Sequence, residues 1–485
     1  MNASVFQIRN KYKEHPYYRQ KKIVDNMAFF TLGKYKEVLR ISLPLVLSMG
    51  ATTVMEFTDR IFLGRYSMDA LAASMPAGIT SFLFTSFFIG TIGYVNVFIA
   101  QYIGANDNKG VGASLWQGIY FSIFGAILMA LIALPAVKLF AFIGHDLEIQ
   151  KLEVIYFRIL CYGTGASILG TTLSCFYSGR GLTRNVMLVH AIGTLFNIPL
   201  DYAIINGVWG FPELGIQGAA LATVMSWILI AFIFIILVFK KKYNERFGVW
   251  KFRRFNPELF MRLMKFGIPG GVQFFLDILA FTFFILIVGR LGKQELAVTN
   301  LVMSINSLSY MPMFGFSMGV STLVGQAMGG GKPSSAVIAA NSTAHIALAY
   351  VFGLVLLFVF FPIPLIKIFL PTDLAPADLN SIIDMGTILL RFVAAYLFFD
   401  AINVIYMGVL KGAGDSRFIM LSMGLASVFF LFIPVWVGVT NFGLGLYFSW
   451  TCITIYIFIL CLMIFTRFYK GKWKTIRIIE QNSET

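Results

Sequence analysis

Five acidic residues sit inside long apolar stretches: Glu56, Asp59, Asp201, Asp277 and Asp400. A charge at mid-membrane costs roughly 2.5–3.5 kcal/mol on insertion scales, so such a group is expected to face a cavity, a partner or an ion. In FNIPLDYAI (196–204), Asn197 and Asp201 are one helical turn apart and project from one face. Pro199 between them frees a backbone carbonyl and can bend the helix. With Asp59 and Thr223 they would offer oxygen ligands alone, which suits a hard cation such as Na+ or a shared proton. Glu56, three residues before Asp59, is a further candidate for the same cavity. Later in the chain Gln273 lies one turn before Asp277, and Tyr396 and Asn403 flank Asp400 at helical spacing, which defines a second cation-attracting pocket. The plain alternatives are a hydrogen-bond network that only locks helices together, or desolvated acids that stay protonated.

The elements that must position these groups are membrane helices. The 485 residues are 58% hydrophobic and 13% charged, with mean hydropathy +0.79, whereas soluble proteins are about 25% charged. Apolar runs long enough for a ~30 Å hydrocarbon core recur along the chain. Spans are expected near 41–64, 70–102, 112–143, 151–180, 185–207 and 214–240, then near 261–289, 297–329, 334–366, 381–412, 417–440 and 443–468. The fold expected is an all-α membrane protein of about twelve transmembrane helices in two six-helix bundles. One lobe covers 41–240 and the other 261–468, joined by a basic linker, 241–260.

The net charge of +15 does not point to nucleic acid, because most of the Lys and Arg residues lie between and around the apolar runs. They alternate by side: the tail 1–40, Arg180 with Arg184, Lys240 to Lys265, Lys411 with Arg417, and Arg467 to Arg477 share one face. The positive-inside rule makes that face cytoplasmic, with both tails, 1–40 and 469–485, on it. Residues 1–40 lack the short apolar core and cleavage site of a signal peptide.

The halves repeat. A shift of 225 maps Pro44 onto Pro269, Gly64-Arg65 onto Gly289-Arg290, and Gly90, Gln101 and Gly104 onto Gly315, Gln326 and Gly329. Each half holds an even number of spans, so the copies share one orientation and are related by a pseudo-two-fold along the membrane normal. The acids do not repeat: Asp59 corresponds to Phe284 and Asp277 to Thr52, and a shift of 233 pairs Asp201 with Pro434 and Asp400 with Ser167. That asymmetry favours specialised chemistry over scaffolding. MGGGKPSS (328–335) is a poor phosphate loop, since proline follows its lysine and Gln326 stands at the first glycine position. Four histidines (15, 145, 190 and 345) have no ligand spacing, and the four cysteines suggest packing rather than disulfides.

From Leu39 to Tyr469 the chain resembles the multidrug and toxic compound extrusion (MATE) family. The carriers are PLVLSMGATTVMEFTDRIFLGR, SGRGLTRNVM, NIPLD, GIQGAALATVMSW, FGIPGGVQFFLD and FFDAINVIYMGVLKGAGDSR, in that order. The resemblance implies a two-lobed antiporter of a bacterial inner membrane that expels organic cations or amphipathic compounds in exchange for Na+ or H+. It implies no enzymatic activity, no ATP, no cofactor beyond the coupling ion, and a monomer. Asp59, Asn197, Asp201 and Thr223 match the family's N-lobe cation site; Asp277 and Asp400 match the C-lobe acids of one branch. The residues themselves tilt toward the proton, because an acid in an apolar bundle is more easily neutralised than a metal is fully ligated. A flippase for a lipid-linked saccharide is the alternative, and it would need a cationic central cavity.

Overall fold

The computed structural model describes residues 33–143, 145–368 and 376–480. Positions 1–32 of the expected N-terminal tail and 481–485 of the C-terminal one lie outside them. Twelve long helices dominate. In the first lobe they are α1 Tyr35–Tyr66, α2 Met68–Gly104, α3 Asn108–Ile132, α4 Leu147–Ser178, α5 Thr183–Asn206 and α6 Ile216–Val238. The second lobe has α7 Pro257–Val288, α8 Lys293–Gly329, α9 Pro333–Phe360, α10 Pro376–Ala413, α11 Ser416–Thr440 with a π-helical turn at Val428–Phe432, and α12 Leu446–Tyr469.

Eleven of these are long and apolar enough to cross a membrane. The exception, α8, is 37 residues long and carries Asn300, Ser304, Asn306, Ser307 and Ser309. It runs against α1, α2, α9 and α10, where Ser309 is buried, while Ser304 and Ser307 donate back to their own helix at Asn300 O and Ser304 O.

Several boundaries differ from the sequence expectation. Helix α1 starts at Tyr35 rather than near 41 because α9 supplies partners beyond the apolar run. The Lys34 amide donates to Ser342 Oγ at 3.1 Å, and the Tyr35 hydroxyl lies 3.0 Å from His345 Nδ1. The expected spans 112–143 and 334–366 each break in two, leaving short helices Ala136–Ile143 and Pro362–Ile368. Pro135 and Pro362 stand at the breaks, where a missing N–H cannot continue the ladder.

The lobes use the same neighbours. Pairs α1–α5, α2–α4, α3–α4 and α4–α6 recur as α7–α11, α8–α10, α9–α10 and α10–α12. The lobes meet along α1 and α2 against α7 and α8, and the contacts there are reciprocal. A Cβ on Gly90 would stand 2.8 Å from Gly270 O, and one on Gly315 would stand 2.8 Å from Val46 Cα. Gly104 abuts the backbone of Gln326, and Gly329 abuts that of Gln101. Gln101 Nε2 donates to Gly412 O at 3.1 Å while Gln326 Nε2 donates to Gly179 O at 2.9 Å. Of the residues that repeat at 225, Gly90, Gln101 and Gly104 and their counterparts Gly315, Gln326 and Gly329 therefore form the seam between the lobes, whereas Gly64 and Gly289 pack within their own lobes. Gly329, within the apparent phosphate loop, is there for backbone contact.

The named seam contacts lie in the half of the molecule that carries the basic loops, reaching the Phe82–Phe274 edge contact near the middle. At that basic end the linker is anchored by Arg180. Its guanidinium lies 4.5 Å from the Phe247 ring, 4.6 Å from Phe176 and 4.7 Å from Tyr243. The segment after α12 also folds back: Trp473 is fully buried, stacks on Phe468 and donates from Nε1 to Phe468 O at 3.0 Å.

Candidate functional site

Three helices of the first lobe converge on one buried cluster. Helix α1 brings Asp59, α5 brings Asn197 and Asp201, and α6 brings Thr223. Thr194 Oγ1 donates to Ala51 O at 3.1 Å and ties α5 to α1. Gly218 lets α6 run against the end of α5, where a Cβ would stand 2.8 Å from Ile204 O. All four side chains are buried, Asn197 and Asp201 completely. Thr223 Oγ1 donates to Asp59 Oδ2 at 3.1 Å, and the Asp59 and Asp201 carboxylates are close enough to interact electrostatically.

The remaining polar atoms have no protein partner: Asp59 Oδ1, both Asp201 oxygens, and Oδ1 and Nδ2 of Asn197. Buried polar atoms are nearly always satisfied in native structures, so these can be satisfied by a water, a proton or a small cation. Two adjacent carboxylates bond to one another only if one carries a proton; otherwise a cation must sit between them. The donor set, oxygens with one amide nitrogen, fits either. Glu56 is placed differently, on the exposed part of α1 one turn before Arg60. In the second lobe the position matching Asp59 is filled by Phe284, which is buried edge-on to Trp450.

The second-lobe acids open onto a small cavity of about 40 Å³, room for a few waters. Gln273 and Asp277 of α7, Tyr310 of α8, and Asp400 and Asn403 of α10 line it. Tyr310 Oη points at Asp277 Oδ2 from 3.5 Å. Gln273 Oε1 and Asn403 Oδ1 have no protein partner. Phe314 stacks between Phe274 and Tyr310, with centroid separations of 6.1 and 6.0 Å, and makes a flat aromatic wall beside the acids. Tyr396 does not line this cavity; it packs into the lobe's apolar core. Tyr310, Tyr456 and Lys411 are among the lining residues that the sequence reading does not single out. Tyr310 had no signal, since nothing in its own helix marks it. From sequence Lys411 enters only as one of the basic residues on the cytoplasmic face, whereas positions 400, 403, 407 and 411 form one helical stripe along the cavity.

The sequence profile of the MatE family matches residues 44–203 and 269–436. These segments cover most of the chain and begin at Pro44 and Pro269, 225 residues apart. The chain belongs to the MatE family. It is a multi-pass membrane transporter with the family's twelve-helix fold. It is 28% identical to a probable multidrug resistance protein NorM of Thermotoga maritima, over 90% of this chain and 93% of the relative. Multidrug resistance protein PmpM of Pseudomonas aeruginosa is 27% identical, over 85% of this chain and 84% of its own. Among solved MATE structures, one in complex with MaL6 superposes with TM-score 0.82 at 19% identity, covering 93% of this chain and 99% of the other. Another, an outward-facing multidrug resistance MATE transporter, superposes with TM-score 0.81 at 20% identity, covering 93% and 98%.

Proposed function

We propose that the protein is a secondary active multidrug efflux antiporter of a bacterial inner membrane. It exports organic cations or amphipathic compounds in exchange for inward H+ or Na+, without ATP, and works as a monomer with its basic loops and both termini in the cytoplasm. The observation that carries this reading is the buried first-lobe cluster of Asp59, Asn197, Asp201 and Thr223, in which Asp59, Asn197 and Asp201 keep polar atoms without a protein partner. These four residues are the coupling site, and the proton is its favoured ion. The second-lobe cavity, small in this state and widened when the lobe opens, is the drug site: Asp277 and Asp400 attract positive charge, and the Phe274–Phe314–Tyr310 wall takes flat apolar surface. The relatives' names as multidrug resistance proteins agree with it.

The mechanism is alternating access. Seam contacts concentrated at the basic end describe a state closed toward the cytoplasm. Ion binding in one lobe and drug binding in the other bias the lobes toward opposite states, each by its differential affinity for the two. One charge moving down 100 mV supplies about 2.3 kcal/mol, enough for a roughly fiftyfold concentration ratio. The test is uphill efflux of an organic cation from proteoliposomes under an imposed ion gradient. Gradient-independent movement of a lipid-linked saccharide, with no efflux of any cation, would overturn the proposal in favour of a flippase.

A further inference from the structure

The cavity that the proposed function takes as the drug site holds a positive charge of its own. Helix α10 lines one wall with Asp400, Asn403, Val404, Met407 and Lys411, a single stripe of one helical face. Eleven residues at ~1.5 Å rise place Lys411 roughly 16 Å along the axis from Asp400, at the basic end of the chamber. Asp277 faces the chamber from α7. A lysine is a compact charge on a flexible four-carbon stem, able to sample positions nearer to or farther from the acids. Interfacial lysines usually reach for water and lipid headgroups. This one lines an enclosed space instead, with two carboxylates and the hydroxyl of Tyr310.

We infer that Lys411 is a tethered cation that competes with positively charged substrate for Asp277 and Asp400, and so limits how tightly the transporter holds what it must release. The inference rests on the second-lobe cavity being the drug site. With Lys411 present, an arriving monocation meets two acids already partly neutralised. Without it the same monocation meets both acids in full. Repulsion between unit charges roughly 10 Å apart in a partly buried pocket corresponds to about a tenfold change in affinity. A neutral compound of the same shape should feel no change, so Lys411 is a specificity-determining residue that acts on charge.

The experiment measures Kd for tetraphenylphosphonium and for uncharged triphenylphosphine oxide on purified protein in nanodiscs. Lys411→Gln should bind the cation about tenfold tighter, release it more slowly and bind the neutral probe as wild type does. Lys411→Arg should behave as wild type. The gain should vanish when Asp277→Asn and Asp400→Asn are also present. Should Lys411→Gln fold poorly, Lys411→Cys treated with 2-aminoethyl methanethiosulfonate restores an ammonium at the same place and should restore wild-type cation affinity. An unchanged ratio of cation to neutral affinity in Lys411→Gln, or equal weakening of both probes, overturns the inference while leaving the drug site in place. Wild type that binds neither probe and expels no cation overturns the drug-site reading and the inference with it.

Discussion

Gly90→Ala and its repeat partner Gly315→Ala should each shift the transporter away from the state that is closed at the basic end. An added Cβ would stand 2.8 Å from Gly270 O in one case and 2.8 Å from Val46 Cα in the other. Ordinary Cβ contacts begin near 3.4 Å, so the helices must part by about 0.6 Å, and both obstacles are backbone that cannot rotate away. Overpacking of this kind costs about 1–3 kcal/mol. The cost applies only while the seam is closed, because both clashes lie between lobes. The equilibrium between closed and open seams should therefore move about 5- to 150-fold. Labels on cysteines introduced at the exposed positions Lys109 and Lys332 would report the lobe separation at that end by electron paramagnetic resonance. Both alanine variants should populate longer distances, and the double variant longer still. Gly353→Ala, in α9 with nothing near its Cβ, is the control. Unchanged distance distributions in both seam variants would refute the idea that this seam opens during the cycle.

Asp201→Asn should insert and fold but lose ion-driven efflux, so that the roughly fiftyfold gradient available at 100 mV collapses toward equality; full active efflux would exclude a coupling role. Asp400→Asn should weaken cationic substrates more than neutral ones, a difference read from paired efflux assays, whereas equal losses would mean damaged packing. Trp473→Ala should remove a fully buried side chain and its bond to Phe468 O, and large-to-small changes of this kind cost about 3–5 kcal/mol. Thermal unfolding in detergent would show it as a lowered midpoint. Arg467→Gln breaks the pair with buried Asp415, whose Oδ2 lies 2.6 Å from Nε, and strands a carboxylate at a cost of about 3–5 kcal/mol. The same unfolding assay should show that loss.

The acids were legible because a charge in an apolar run is costly enough to demand a reason. Asn197 and Asp201 could be paired from helical spacing alone, whereas Asp59 and Thr223 reach them only through the packing of α1 and α6 against α5. The repeat was legible too, but its meaning was not. Gly90, Gln101 and Gly104 match Gly315, Gln326 and Gly329 because each touches the other lobe, and a shared offset says nothing about who touches whom. Tyr396 shows the limit of spacing arguments. One turn from Asp400, it nevertheless faces the core, since spacing fixes a helix face but not the neighbour that covers it. Lys411 was hidden by a sound rule, the sidedness of basic residues, which explains a charge at a helix end without asking where its side chain goes. Helix ends were least legible where partners lay far off in sequence, as with Tyr35 and His345.

Efflux from proteoliposomes with each ion gradient imposed alone, at matched membrane potential, tests the central claim most directly. A proton shared between Asp59 and Asp201 predicts that an inward pH gradient drives uphill efflux of an organic cation without sodium, and that Asp201→Asn abolishes it. Sodium-driven efflux with none under the pH gradient would contradict the proton assignment. Efflux under neither gradient would contradict antiport itself.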